Sequence, residues 1–561
     1  MHKQSNYVFA ILIVFGVAIL CWGAIGGSPA GLSSDNEASA VTTQSTSSQS
    51  EGRPNPVLHP RDVSTYHYDV FRQGQTKTEK ILTPSNVNST LFGKVGFFSV
   101  DGKVDAQPLY ANNIPGPLGT QNTLFVVTEH DSIYAFDADS GTQTWKVSAL
   151  LPGETPSDDR GCGQITPEIG ITNTPVFDRQ RGPNGTLYFV AMSKDSNGKY
   201  HQRLHALDMQ TGVELFGGPT EIQAMYPGTG DGSQGGNVIF VPRQYAVRAG
   251  LVADGGEIYM GFTSHCDIRP YTGWLLAYDM GTLKRTAVLN ITPNGEGGTI
   301  WMSGSGLASD GRGFMYFLAA NGTFDVTLDA NGFPINGDYG NAFMKIAIPG
   351  LKVADYFTMH NTVQESNADQ DLGSGGALVL PPLTDINGQV RHLALGAGKD
   401  SNIYVVDRDN MGKFNPNNDS AIYQEIVGAL PGGVWAMSAF FNNTIYYGSV
   451  KHSLKAFNIS NAKLSTSFTS QTLNTFPYPG TAPIVSADGA ANGIVWAVEN
   501  SNPAVLHAYD ATNLSHELYN SNQAGSRDQF GPGNKFISPV VVNGQLFVGT
   551  QNGVAKFGLL P

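Results

Sequence analysis

The chain has 561 residues, with 46 acids against 33 bases for a net charge of -13, and it holds 67 glycines with only 14% charged residues. This length allows several domains or one large repeat array. The low charge and many glycines point to tight turns and an all-β class rather than a helical one, and a negative surface argues against nucleic acid as a partner.

The first element is an apolar run from Tyr7 to Ile25, "YVFAILIVFGVAILCWGAI", preceded by His2 and Lys3. It is longer than the roughly 7–15 residues of a secretory apolar core and near the roughly 20 that span a bilayer. Residues 1–27 therefore read as a signal peptide or an N-terminal membrane anchor. Residues 28–56 are rich in Ser and Thr and poor in large apolar side chains, so they read as a disordered linker. The folded body, 57–561, is expected to be extracytoplasmic: periplasmic, on the cell surface or secreted. Its only membrane contact would be the N-terminal segment. Of three cysteines, Cys21 lies in the apolar run. Cys162 and Cys266 are the one pair left in the exported body, where a disulfide persists.

Next comes "GKVGFFSV", residues 93–100, ahead of any repeat. From there a unit recurs. A small-residue strand ("AQPLYA", "ITNTPVF", "RAGLVAD") leads to a turn and an aromatic strand ("NTLFVVT", "GTLYFVA", "GEIYMGF"). A third strand then ends on an acid or amide: Asp137, Asp208, Asp279, Asp407, Asn458 and Asp510. A degenerate copy lies near Lys345, and "GVAKFGLLP" is a last copy with no fourth strand. The repeat period is roughly 50–70 residues and the copies number eight, which predicts an all-β, single eight-bladed β-propeller of four-stranded antiparallel blades. The repeated acids are expected to cap turns with their own side chains, and Trp145 to fill a gap between blades. An open ring would leave sheet edges unpaired, so 93–100 is expected to pair with the last blade and close it.

The pattern A-x-D-x-x-[ST]-G-x-x-x-W is filled by Ala135, Asp137, Ser140, Gly141 and Trp145. It resembles the blade motif of the quinoprotein family. That resemblance implies an eight-bladed propeller and, in many members, a dehydrogenase using pyrroloquinoline quinone (PQQ) and calcium. "VDAQPLY", "EHDSIYAFDAD", "PEIGITNTPV", "GAGKDSNIYVVDRDNMG" and "NSNQAGSRDQ" are similar to exported bacterial PQQ-like repeat proteins, most of which have no assigned activity. The chain departs from the PQQ alcohol dehydrogenases in lacking a vicinal Cys-Cys pair, and it has no C-x-x-C-H for a c-type haem.

Propellers bind ligands at the channel mouth, in the loops that lead into each innermost strand. Those loops carry Asp105, Gln107, Glu168, Arg248, Trp301, Met302, Asp371, Trp435 and Lys535, with His265 and Lys399 in two further loops of the same face. Arg248, Trp301, Trp435, Lys535, Lys399 and His265 suit a planar, anionic, oxygen-rich cofactor or ligand. Glu168 and Asp371 are the candidates for a general base or for calcium. The usual hydrolase and nucleotide motifs are missing. Two functions follow as expectations. One is a non-enzymatic binding or scaffold module for an envelope protein, a glycan or a small molecule. The other is a PQQ- and calcium-dependent alcohol or sugar dehydrogenase. Convergence of Glu168, Arg248, Asp371 and Lys535 in one pocket over a tryptophan floor would favour the second.

Overall fold

The computed structural model describes residues 61–116 and 119–561, all within the compact unit Gly52–Pro561. The apolar run Tyr7–Ile25 and the linker 28–56 lie outside the described residues.

Eight sheets follow one another along the chain, each built on four antiparallel strands, and those of blades 2, 6 and 7 carry one or two further short strands. Blade 1 orders Leu109–Gly116, Gly119–Val127, Ser132–Asp137 and Gln143–Ser148 from inside out. Its second strand is buried along "TLFVV" whereas its outermost, "QTWKVS", is half exposed. That gradient is why the middle strands read as continuous apolar runs and the outer ones as alternating. The core lies between blades. One apolar cluster joins Phe125 and Ile133 of blade 1 to Phe177, Leu187 and Phe189 of blade 2, and equivalents recur around the ring. Trp145 donates from Nε1 to the carbonyl of Met209, 3.2 Å away in the next blade.

The repeated acids hold turns. Asp137 accepts the backbone N–H groups of Asp139 and Ser140 at 3.0 and 2.7 Å, and Asp208 those of Gln210 and Thr211 at 3.1 and 3.0 Å. Gly141 and Gly212 follow with φ of +82° and +71°, the left-handed region that glycine enters without steric cost. In blade 8, Val540–Val542, Gln545–Gly549 and Gly553–Leu559 receive their fourth strand from Phe92–Ser99, which pairs antiparallel with Gly553–Leu559. Phe92 packs against Trp496, Tyr519 and Phe557 there.

The central channel is filled. Residues 63–76 run up and back through it and bond to the inner edge of every blade. Val63 exchanges backbone hydrogen bonds with Tyr110 of blade 1 at 2.8 and 3.1 Å. The carbonyls of Ser64, Val70, Phe71, Gln73 and Gly74 accept from Phe177, Ser309, Val379, Phe440 and Val485, in blades 2, 4, 5, 6 and 7. Thr65 Oγ1 donates to Leu251 O in blade 3, and the Tyr68 hydroxyl accepts from Val541 N in blade 8 at 2.8 Å. Arg72 is fully buried and donates to the carbonyls of Leu307, Tyr66 and Leu251 and to Thr65 Oγ1. Inner strands of a ring face one another across the axis, and this plug satisfies backbone groups that would otherwise be orphaned.

Candidate functional site

The loops that lead into the inner strands gather on one face, above the tip of the plug. They are tied laterally. Ser303 Oγ donates to Ser374 O and Ser374 Oγ donates to Val434 O, each at 2.6 Å, linking blades 4, 5 and 6. The Cys162–Cys266 disulfide joins the loops before blade 2 and within blade 3 across 104 residues. Between these loops lies a cleft of about 420 Å³, lined by Arg248, His265, Trp301, Asp371, Lys399 and Trp435. Tyr478, Phe536 and the disulfide complete its wall. Tyr66, at the plug tip, shares a crevice with Trp435 and Phe536.

The cleft's aromatic rings meet edge to face. Trp301 and Phe536 centroids are 6.2 Å apart, Phe536 and Tyr478 6.5 Å, and Tyr478 and Trp435 5.9 Å. Arg248 is 6% exposed, with its guanidinium 4.6 Å from the centre of the Phe536 ring. No carboxylate pairs with it among the described residues. Phe536 holds φ +67°, Met302 +39° and Cys266 +48°. Backbone strain in side-chain-bearing residues concentrates where a site is over-determined by its surroundings.

Asp371 is buried. Lys399 Nζ lies 2.7 Å from its Oδ1 and 2.6 Å from Oδ1 of the exposed Asp369. The Lys399–Asp371 contact is an ion pair, and the Trp301 indole stands beside the same carboxyl group. Burial raises the Asp371 pKa above the usual carboxylate value, and Lys399 opposes that rise. Burial pulls Lys399 down, but the two acids outweigh it and its ammonium is held above its ordinary value. Lys399 also stands 5.8 Å over the Trp301 ring. Burial pushes His265 down to about 4, so it is a neutral imidazole in this wall.

Glu168 and Lys535 sit in an adjoining chamber of about 620 Å³, which meets the cleft at Gln164, Arg248 and Tyr478. Glu168 pairs with His130 at 2.8 Å, and Lys535 donates to Gln164 Oε1 at 2.9 Å. Arg248 thus borders both spaces; Asp371 is confined to the first and Glu168 and Lys535 to the second. Asp105 also lines the second chamber. Two other lead-in residues point elsewhere: Gln107 bonds the plug at His67 N and Thr65 O, and Met302 is fully buried. Among the described residues no three His, Cys, Asp or Glu side chains come together as a metal group.

Sequence reasoning missed Phe536 and Tyr478, which occupy lead-in positions like those of Trp301 and Trp435. It also missed Glu129, buried at the wall of the second chamber. Its Oε2 accepts from Gly170 N and Thr172 Oγ1, both at 2.9 Å, and the Asp105 carboxyl group stands beside it. Burial, helped by Asp105, pushes Glu129 up to about 8. Gly170 is obligatory beside it, since a Cβ there would meet Glu129 O at 2.5 Å.

No family model matches the chain, and no curated protein matches it. Solved structures do share its fold. A quinohemoprotein alcohol dehydrogenase from Comamonas testosteroni superposes with a TM-score of 0.59 at 14% identity, over 89% of this chain and 80% of that one. A europium-containing methanol dehydrogenase gives 0.59 at 12%, over 89% and 98%. A quinohemoprotein alcohol dehydrogenase from Pseudomonas putida HK5 gives 0.55 at 14%, over 89% and 80%.

Proposed function

We propose that the chain is a dehydrogenase-type oxidoreductase, with a planar, carboxylate-bearing quinone such as PQQ in the aromatic cleft and an alcohol as substrate. The observation that carries this reading is Arg248, a buried guanidinium with no acid partner that faces a cleft walled by aromatic rings. Such a group grips a carboxylate in bidentate fashion. Flat rings present large faces to a flat ligand. The fold shared with quinohemoprotein alcohol dehydrogenases supports the reading by analogy alone. We place this chemistry outside the cytoplasm, where the Cys162–Cys266 bond persists.

The residues fit the planar anion. Arg248 and Lys399 supply positive charge, and Trp301, Trp435 and Phe536 supply faces. They do not fit calcium. Asp371 is committed to Lys399 and Glu168 to His130, and no group of three metal-ligating side chains forms among the described residues. No step here therefore runs through a metal. When bound, a quinone of this class accepts two electrons from the carbinol carbon of an alcohol. Asp371 is the candidate general base: it lines the cleft, with Lys399 Nζ 2.7 Å from its Oδ1. Lys399 opposes the rise that burial causes at Asp371, and it pairs as well with the exposed Asp369.

A second reading is binding without turnover, as a scaffold for an envelope protein or glycan. A calorimetric titration of PQQ into the purified protein, with and without calcium, separates the two. The expected result is saturable micromolar binding that calcium does not change and that Arg248→Ala weakens at least about tenfold, the loss of one charge-assisted contact. No heat in either condition overturns the dehydrogenase reading and leaves the scaffold.

A further inference from the structure

The triplet N-x-[ST], the acceptor signal for N-linked glycans, occurs eight times in the chain. The fold sorts these triplets. Asn290 is buried and donates from Nδ2 to Thr272 Oγ1 at 2.8 Å. Asn184, Asn321 and Asn442 spend the same amide on Asp208, Asp369 and the Ala490 carbonyl, at 3.0, 2.6 and 2.8 Å. Asn88 is half-buried and donates to Ser85 O, and Asn458 lies inside a strand with its Oδ1 taken by Thr444 and Thr469. Two triplets remain, Asn418–Asp419–Ser420 and Asn513–Leu514–Ser515. In both, the asparagine and the serine are exposed while the residue between them is held inward. Leu514 is buried in the core shared by blades 6 and 7. Asp419 is gripped by His360, whose backbone N and Nδ1 lie 2.6 and 2.7 Å from its two carboxyl oxygens. Asn418 Oδ1 accepts the N–H of Ser420 at 3.0 Å, and Asn513 Oδ1 accepts the N–H and the hydroxyl of Ser515 at 3.1 and 2.9 Å. Each triplet thus closes a side-chain turn on itself, which a chain presents before it folds as well as after. Among the described residues nothing accepts from Nδ2 of either asparagine.

We propose that Asn418 and Asn513 are modification sites that carry N-linked glycans. The donor is a glycosyl diphosphate on a membrane lipid, and the catalyst is a transferase outside the cytoplasm, where the reading above puts this chain. Nδ2 attacks the anomeric carbon of the donor: the C–N bond forms, the anomeric C–O bond breaks, and the lipid diphosphate leaves with the electron pair. The Nδ2 proton passes to a base of the transferase. Hydrogen bonds to Oδ1 polarise the amide and make that proton easier to lose. Neither asparagine lines the cleft or the second chamber. Each lies in the connection that leads into an outermost strand, Gln424–Ile426 of blade 5 or Glu517–Asn520 of blade 7. Glycans there shield the outer edge of the ring and leave its mouth open. Asn418 also borders an open depression of about 600 Å³ with His360 and Tyr423, which leaves room for the first sugars. The modification rests on the export reading and is independent of the dehydrogenase one.

The test is a peptide map by mass spectrometry of the full chain purified from the cells that make it, with fragmentation that reads sugar losses. Glycan mass is expected on the peptides that hold Asn418 and Asn513, and bare asparagine at the six other triplets. A glycan on either of the two, absent from those six, supports the assignment of that site. Ser515→Ala should remove the mass at Asn513 alone, and Ser515→Thr should keep it, because the transferase reads the hydroxyl. Ser420→Ala should do the same at Asn418 alone. Bare Asn418 and Asn513, or glycans on the other six as often as on these two, overturn the proposal. Bare sites on a chain recovered from the envelope or the medium refute the glycans and leave export standing. A chain confined to the cytosol refutes export and the glycans with it.

Discussion

The same carboxyl group plays opposite parts at different depths in this ring. Asp137 and Asp208 point into turns, each held by two backbone N–H groups, and their work is local. Glu365 and Glu129 lie beneath the mouth face, where burial pushes each up to about 8 from an ordinary 4.5. Folding therefore favours their protonated forms. Between pH 4.5 and 8 the folded chain keeps protons that the unfolded chain has released, so the stability they add is whole below the unfolded value and is lost as pH rises through the folded one. The melting temperature is expected to fall from pH 5 to 8. Glu365→Gln should flatten that slope, because the amide keeps the acceptor for Asn361 Nδ2, now at 3.0 Å, and cannot ionise. Calorimetric scans at four pH values check it, and slopes that run parallel in variant and wild type would remove Glu365 as a cause.

At the scale of elements, the plug gives the sharpest expectation. Arg72, fully buried, donates to four carbonyls and a hydroxyl. Arg72→Met should cost about 3 kcal/mol or more, since hydrogen bonds to a charged group are worth roughly 1.5–3 kcal/mol each and the carbonyls of Tyr66, Leu251 and Leu307 would be left bare. Arg72→Lys should recover little, because an ammonium has no planar fork to reach all of them. Denaturant unfolding measures both, and a loss below about 1 kcal/mol in the methionine variant would show that the channel repacks. The plug was invisible in the sequence for a physical reason. Blades repeat, so each anchor aspartate and aromatic strand vouches for the others. The run "VSTYHYDVFRQGQT" occurs once, bonds to eight different blades and has neither helical nor strand periodicity. The site was legible by half for a related reason. Lead-in loops follow from the repeat, and so Arg248, Trp301, Asp371, Lys399 and Trp435 could be placed on one face. Which loop folds over which depends on their conformations, so the division between cleft and second chamber could not be read.

For the molecule as a whole, the ring is held by interlocking closures: the Phe92–Ser99 strand on the last blade, the plug through the axis and the disulfide across the mouth. The disulfide differs from the other two in touching the site directly, since both cysteines line the cleft. It encloses 104 residues, and a loop near that length is worth about 4.7 kcal/mol when its closure entropy is removed from the unfolded chain. That is an upper bound, because residual structure in an unfolded chain already restricts the loop that the bond closes. The double variant Cys162→Ser and Cys266→Ser should therefore stay folded yet melt several degrees lower. Its melt should be indifferent to a thiol reductant that lowers the wild type to the same point. The loop before blade 2 also carries Gln164, Ile165 and Ile169 along the cleft wall, so releasing it loosens one side of the cavity while Arg248, Asp371 and Lys399 keep their own supports. The expectation is a weaker ligand with an unaltered dependence on Arg248. Melts with and without reductant, paired with the PQQ titration on the same double variant, read both halves, and a reductant-insensitive wild type would show that the bond does not form in the protein.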